Sequence, residues 1–208
     1  MAKVSIETNA KDVKRRLGLF KSRHIPIVLS ESINEVGIKS VNAMRSQIQK
    51  KLDRPTPFTI KSPNIIKARP MKNPFATVFI HNAAQKYLSK LFEGGVSVPN
   101  KSKIPVPYTA GGHISLNQFG NIRGKRSGLV KGKKDFIANI KGVEGVYRRA
   151  GGKRNPHVKL LIGFENSVSY RKTLEFFKTI EGVVKNNIGK AIDKNIKEAF
   201  RTLWLGTF

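Results

Sequence analysis

The sequence predicts an α+β fold in which two long helices pack on one face of an antiparallel sheet, beside a long basic, glycine-rich loop. Two segments, about 26–52 and 173–203, carry apolar residues at steps of three and four, which is typical of amphipathic helices. Short segments rich in β-branched and aromatic residues lie between them, bounded by glycine or proline. Because neither helical stripe could be buried without a shared sheet face, we expect one domain over residues 1–208.

The N-terminal third is predicted to be mainly helical. Lys3–Thr8 alternates like a short strand or arm, and Asn9 can cap a short helix that runs to Phe20. Pro26 then fits the first turn of the long helix, where proline is tolerated. The apolar stripe of that helix consists of Leu29, Ile33, Val36, Ser40, Met44, Ile48 and Leu52.

The segment Leu52–Thr59, with the sequence LDRPTPFT, ends the long helix. Proline cannot continue a helix, and it pushes the residue before it toward extended geometry. We therefore expect Arg54 and Thr56 to be extended, with Phe58 directed at an apolar surface. On physical grounds alone this segment is a rigid corner between a helix and a strand.

The remaining elements follow from the same kind of pattern. Strands are predicted over Ile60–Ala68 and Phe75–His81, and a short helix over Ala83–Glu93 that Gly94 and Gly95 close. Three more strands are expected to extend the first hairpin into one antiparallel sheet. These strands are Asp135–Ile140, Gly145–Arg149 and His157–Phe164, and the long C-terminal helix follows them.

Residues 96–134 differ in composition from the rest of the chain. Prolines lead into a series of glycines, and cations crowd the end, so we expect a flexible basic excursion. It lacks the glycine pattern of a phosphate loop. It is either a solvated loop or a surface that contacts DNA phosphates or an acidic partner without sequence preference. The candidate contact residues are Arg123, Lys125, Arg126, Lys131, Lys133 and Lys134.

Charge is the outlier in composition. The chain has 40 Lys and Arg against 13 Asp and Glu, a formal charge of +27, in 208 residues. Such self-repulsion favours a negative partner, with nucleic acid first and an acidic protein or a membrane surface second. The absence of cysteine excludes disulfides and thiol catalysis. No signal peptide or membrane-spanning run is evident, so we expect a cytoplasm-like compartment or a particle assembled there.

The sequence offers no arrangement typical of an enzyme. Its four histidines lack partners at metal-ligand spacing, and its carboxylates are scarce and scattered. Glu31 and Glu35 form an i, i+4 pair that is typical of a solvated helix face. We therefore predict no catalytic residue, no metal, no cofactor and no small-molecule substrate.

The C-terminus ends in an apolar cluster of Trp204, Leu205 and Phe208. These side chains either cover the core or form an interface with a neighbouring subunit, and we assign them to a subunit interface.

Several segments, in order, resemble the phage minor tail protein Z family, which completes tails or joins heads to tails. The resemblance covers about residues 25–204, although the basic insert around 109–134 departs from the family pattern. The segments are Asp53-Arg54-Pro55-Thr56-Pro57-Phe58, Lys86-Tyr87-Leu88 with Glu93-Gly94-Gly95, Lys134-Asp135-Phe136-Ile137, Gly145-Val146-Tyr147-Arg148-Arg149, and Leu160-Leu161-Ile162-Gly163-Phe164 with Tyr170 before the last helix.

The resemblance implies a structural virion protein of the tail top or head–tail interface, assembled as a cyclic homo-oligomer with other tail or connector subunits. A ring through which DNA passes would favour a cationic lining, in agreement with the charge. The alternative is a free-standing protein that binds nucleic acid without sequence preference. A DNA-processing enzyme is disfavoured by the scarcity of carboxylates.

Overall fold

The chain adopts an α+β fold with antiparallel sheets and two long helices, which confirms the predicted fold class. The structure is a computed structural model that describes residues 10–99, 103–108, 116–121 and 134–205, without the side chains of 10, 204 and 205. The helices are α1 (Ala10–Leu19), α2 (Ile25–Lys51), α3 (Pro57–Lys61), α4 (Asn82–Glu93) and α5 (Phe176–Leu205). The strands are β1 (Pro63–Ile66), β2 (Thr77–Ile80), β3 (Gly95–Ser97), β4 (Ile104–Pro107), β5 (Asp135–Ile140), β6 (Val143–Ala150), β7 (His157–Glu165) and β8 (Val168–Tyr170).

A π-helical turn over Phe20–His24 joins α1 to α2 without a break. The amide of Ile25 donates to the carbonyl of Phe20 in that turn. We expected a new helix to begin near Pro26, whereas the helical chain runs through it. A wider turn gives room to the proline ring, which in a regular helix meets the carbonyl of the preceding turn. The N-terminal strand predicted over Lys3–Thr8 lies outside the described residues.

The chain divides into two compact units, and the first contains α1, most of α2, the β1–β2 hairpin and α5. The buried face of α2 repeats every four residues as Val28, Ser32, Val36, Ser40, Met44 and Ile48. The predicted stripe is therefore correct from Val36 to Ile48 and wrong near its start, where Leu29 is 44% exposed, and at Leu52, which lies beyond the end of α2. Small serines on this face allow neighbouring elements to approach closely.

The β1–β2 hairpin forms a sheet of its own, with Pro63 opposite Ile80 and Ile66 opposite Thr77. The prediction that it joins the later strands in one sheet is wrong. Its place is on α2, where a Cβ at Gly37 would overlap the side chain of Ile65. The amide of Ala68 also donates to Asn34 Oδ1 at 2.7 Å.

The second unit contains most of α3, nearly all of α4, the β3–β8 pair and a four-stranded antiparallel sheet in the order β4-β7-β6-β5. Val146, Leu161 and Ile162 form its buried core, with Phe164 packed against them. The three strands predicted after residue 134 are confirmed as β5, β6 and β7. The prediction of one domain over residues 1–208 stays a prediction.

Two strands that the sequence did not predict, β3 and β4, lie inside residues 96–134 or at their border. A turn over 117–120 is also ordered, because Asn117 Oδ1 accepts the amides of Phe119 and Asn121. The structure thus gives these parts two strands and a turn that the sequence did not predict, and the flexibility of the segment stays a prediction. Residues 109–115 and 122–133 lie outside the described residues.

The proline-rich corner contains a short helix rather than an extended link. Arg54 has a left-handed φ of 45°, and Thr56 caps α3 by accepting the amide of Thr59 at 3.2 Å. Pro57 occupies the first helical position, where its fixed φ favours a helix start. The expected extended geometry is therefore wrong for Arg54, and the strand start at Ile60 is wrong because that residue lies in α3. Phe58 is 52% exposed.

Candidate nucleic-acid interface

The connection between β6 and β7 brings cations to one end of the four-stranded sheet. The connection is Gly151-Gly152-Lys153-Arg154-Asn155-Pro156, and all of its residues are exposed. Its chain reversal is tight, because Gly151 has a φ of 80° and a Cβ there would overlap the carbonyl oxygen of Asn155. The amide of Asn155 donates to Gly152 at 3.1 Å and closes the turn. Lys153 and Arg154 are thereby held at the tip.

Strand pairing places further cations beside this tip. Arg148 lies opposite Lys159 across β6 and β7. Arg149 donates its amide to the carbonyl of Lys134 at 3.0 Å, so these two residues are neighbours at the start of β5. We call this group the cationic sheet end, and it consists of Lys134, Arg148, Arg149, Lys153, Arg154 and Lys159.

The one carboxylate within residues 134–135 and 148–159 is already paired. The side chain of Asp135 is only 2% exposed and accepts two hydrogen bonds from Arg148, at 2.7 and 3.0 Å. The hydrogen bond to Asp135 raises the pKa of Arg148 above its ordinary value. This pair is locally neutral, so the net positive charge of the sheet end comes from the remaining cations.

An aromatic pair supports Arg149. Its guanidinium lies 5.2 Å from the ring centre of Phe136, a distance at which a cation is attracted to the face of the ring. Phe136 in turn stacks on Tyr147, with ring centres 6.2 Å apart. Tyr147 is buried and donates its hydroxyl to the carbonyl of Val143 at 2.7 Å. The position of the Arg149 side chain is therefore fixed by the sheet beneath it.

Chemically, the cations of the sheet end can neutralise phosphates. Lysine and arginine side chains on a hairpin tip are free to follow a phosphate backbone, and such contacts are independent of sequence.

Of the six candidate contact residues predicted from the sequence, only Lys134 is described, and it is exposed. Arg123, Lys125, Arg126, Lys131 and Lys133 lie outside the described residues. Sequence reasoning missed the five cations on β6, β7 and their connection. The signal was present in the stretch from Arg148 to Lys159, where six of the residues are Lys, Arg or His.

The predicted subunit interface is only partly described. Trp204 and Leu205 are the last two residues of α5, and Phe208 lies outside the described residues. One turn earlier, Phe200 stacks on Phe20 with ring centres 4.3 Å apart. The end of α5 therefore lies beside the π-helical turn, and the interface assignment stays a prediction.

Two kinds of feature are absent from the described residues. No helix among them is long and apolar enough to cross a membrane. They also hold no group of three or more His, Asp or Glu side chains that could bind a metal ion.

Comparison with known proteins gave no match for this chain among family models, curated proteins or solved structures.

Proposed function

We propose that this protein is a non-enzymatic structural component of a phage particle, at the tail top or head–tail interface, whose cationic sheet end contacts DNA phosphates. It works as a cyclic homo-oligomer beside other tail or connector subunits and needs no cofactor. It is assembled in the host cytoplasm and becomes part of the virion.

The composition of the cationic sheet end is the main support for the proposed DNA contact. Five cations besides Arg148 converge on one hairpin end, and the single carboxylate beside them is buried and paired. Each cation that meets a duplex phosphate releases condensed counterions, so binding of this kind falls steeply with salt. Lys134, the last residue of the basic segment predicted from the sequence, belongs to this cationic sheet end.

The support for a particle component comes from the ordered segments that resemble the tail protein Z family. Two of these segments meet in the structure, because Thr59 Oγ1 lies 2.9 Å from the hydroxyl of Tyr87 and 2.8 Å from Thr56 Oγ1. In the second of these segments, the Gly94-Gly95 pair follows α4 with two positive φ angles and leads into β3. The resembling residues thus have structural roles that tie adjacent elements together.

Duplex DNA binding as a function of salt tests the phosphate contact. The variant in which Arg149, Lys153, Arg154 and Lys159 are all changed to Gln should lower the log–log salt slope by up to about 0.9 for each cation removed. A matched variant changes Lys185, Lys190, Lys197 and Arg201 of α5 to Gln, which removes the same charge elsewhere. Its slope should stay close to that of the native protein.

An equal decrease of the salt slope in both variants would show that DNA binding depends on net charge rather than on the cationic sheet end. That result would contradict the proposal. Scrambled duplexes of one length should bind equally, since phosphate contacts carry no sequence preference.

The particle assignment has a separate test. Phage that lack the gene should accumulate heads and tails that fail to join, and purified wild-type particles should contain the protein. Complete infectious particles without it would overturn the assignment. The alternative is a free-standing nucleic-acid-binding protein, and DNA binding by a monomer that is absent from particles would favour it.

A further inference from the structure

The two edges of the four-stranded sheet differ in their ability to accept another strand. In an antiparallel pair, the N–H and C=O of one residue point to the same side, and successive residues point to opposite sides. Tyr108 donates its amide to the carbonyl of Leu161 in β7. The main-chain N–H and C=O of Val106 therefore also point toward β7, whereas the main-chain groups of Pro105 and Pro107 point to the outer side. Proline has no N–H, and the outer edge of β4 is therefore blocked against strand addition.

The opposite edge, β5, has no such protection. The carbonyl of Lys134 accepts the amide of Arg149. The residues whose main-chain groups point toward β6 are therefore Phe136, Ala138 and Ile140. The main-chain groups of Ile137 and Asn139 then point outward. Within the described parts of the chain, no hydrogen bond satisfies the outward groups of these two residues. The strand contains no proline, lysine or arginine, the residues that usually prevent an edge strand from pairing with another strand.

The side chains of β5 also favour an apolar neighbour. Ile137 is 59% exposed, although it lies opposite the fully buried Val146 of β6. The only ionisable side chain of the strand, Asp135, is already paired with Arg148. A second strand can therefore approach β5 without placing like charges against each other.

We infer that β5 is a self-association edge that pairs antiparallel with β5 of a second copy of this chain, about a two-fold axis at Ile137. In this register Ile137 lies opposite Ile137 of the partner subunit, and the two residues exchange both main-chain hydrogen bonds. On the other face Phe136 lies opposite Ala138 of the partner subunit, a large residue against a small one. The product is a continuous sheet of two four-stranded halves.

A second copy is the occupant because the strand is complementary to itself in shape: in the two-fold register a large side chain meets a small one on one face, and Ile137 meets its own copy on the other. An unrelated basic or acidic peptide gains nothing from a strand whose one carboxylate is buried and paired. The inference does not depend on DNA binding, because it concerns main-chain groups on the edge rather than the cationic sheet end. It concerns the free protein and is separate from the ring contacts, because a two-fold contact closes on itself and does not build a ring.

Single-residue proline variants give a sharp test by light scattering and sedimentation. Ile137→Pro removes an outward N–H, as Pro105 and Pro107 do in β4, and keeps the bonds to β6. It should weaken self-association at least about tenfold and leave the circular dichroism spectrum unchanged. Ile137→Val should remain a dimer. Ala138→Pro removes an inward N–H instead and should destabilise the sheet itself.

Crosslinking tests the register, because the chain has no native cysteine. The Ile137→Cys variant should form a covalent dimer with a short bismaleimide. The Asn139→Cys variant should crosslink poorly, because in this register its two copies are about 14 Å apart.

Salt should strengthen the dimer by screening the repulsion between two basic chains, whereas it weakens DNA binding.

Three outcomes would each overturn the inference. The first is a native protein that stays monomeric at every salt concentration. The second is an Ile137→Pro variant that remains dimeric, and the third is an Ile137→Cys variant that crosslinks only to a different protein.

Discussion

Gly145 on β6 lies opposite Gly163 on β7, but the two glycines have different surroundings. A Cβ at Gly145 would overlap the carbonyl oxygen of Ile162 and come within 2.9 Å of Leu160 Cδ1, whereas a Cβ at Gly163 would meet only Glu165 Oε1, at 3.7 Å. We expect Gly145→Ala to lower the free energy of unfolding by about 1–3 kcal/mol, because main chain cannot move aside as a side chain can. Urea denaturation measures this effect.

Gly163→Ala is the matched control, since it makes the same chemical change on the neighbouring strand. Its effect should stay below about 1 kcal/mol. Equal losses at both positions would mean that strand flexibility, and not the close approach at Gly145, determines the effect.

The pair formed by Asp135 and Arg148 allows a second prediction at this scale. Asp135→Asn leaves the guanidinium without its buried ionic partner, at a cost of about 1–3 kcal/mol in the free energy of unfolding. Arg148→Lys keeps the positive charge but loses the bidentate hydrogen bonds to Asp135. This variant should therefore retain only part of the stability that the native pair contributes. Asp135→Asn should also increase DNA affinity at low salt, because it adds net positive charge to the cationic sheet end. Unchanged stability of the Asp135→Asn variant in urea would contradict the structural role of this pair.

Helices α2 and α5 are joined by a buried polar contact. Asn195 donates to Ser32 Oγ at 2.9 Å, and Ser32 Oγ donates to the carbonyl of Val28 at 2.7 Å. Ser32→Ala leaves the buried amide of Asn195 short of an acceptor, which should cost about 1–3 kcal/mol. A double-mutant cycle with Asn195→Ala should give a coupling energy of about 0.5–3 kcal/mol. Additive effects would show that the two side chains do not interact.

Glu35 adds a pH-dependent link between the same helices. Its carboxylate lies 3.0 Å from Lys39 Nζ and 3.3 Å from Lys194 Nζ of α5, and hydrogen bonds from Lys39 and then Lys194 lower its pKa below the ordinary value of 4.5. A carboxylate of this kind stabilises the fold above its unfolded pKa, and the contribution is lost as pH falls through the folded pKa. Glu35→Gln should therefore lower the unfolding midpoint slightly at neutral pH and have no effect in strong acid. If the unfolding midpoints of the Glu35→Gln variant and the native protein still differ in strong acid, the effect comes from packing and not from the charge of Glu35.

The elements that the sequence predicted well are those in which local pattern and tertiary environment agree. Helices α4 and α5 and strands β5, β6 and β7 were evident from periodicity and from their glycine and proline boundaries. The corner was misread because Thr56-Pro57 is equally a helix start, in which threonine caps and proline takes the first position. The start of the α2 stripe was misread because buried Ser32 is polar, and only its bond with Asn195 explains its burial.

The candidate site was harder to predict than the fold. A dense run of cations in one loop drew the prediction to residues 123–134, whereas the cationic sheet end is assembled from strand pairing. Arg148 and Lys159 are distant in sequence and adjacent only through the register of β6 and β7. Composition cannot give that register.

At the scale of the whole molecule, repulsion among like charges opposes folding. The formal charge of +27 is carried by a single chain of 208 residues. Exposed ion pairs, such as that between Arg15 and Asp12, contribute only about 0–1 kcal/mol each and are themselves weakened by salt. The repulsion summed over many cations should outweigh these pairs, so added salt should stabilise the protein.

We therefore expect the thermal midpoint to rise by several degrees when KCl is increased from about 20 mM to about 300 mM, since the Debye length shortens several-fold over that range. The matched variant of α5, in which Lys185, Lys190, Lys197 and Arg201 are changed to Gln, should start from a higher midpoint and gain less from salt. Short duplex DNA should raise the midpoint of the native protein at low salt, because a ligand that binds the folded state stabilises it. A midpoint that falls with KCl would mean that the ion pairs outweigh the repulsion, and the high charge would then need no polyanionic partner to explain the stability of the fold.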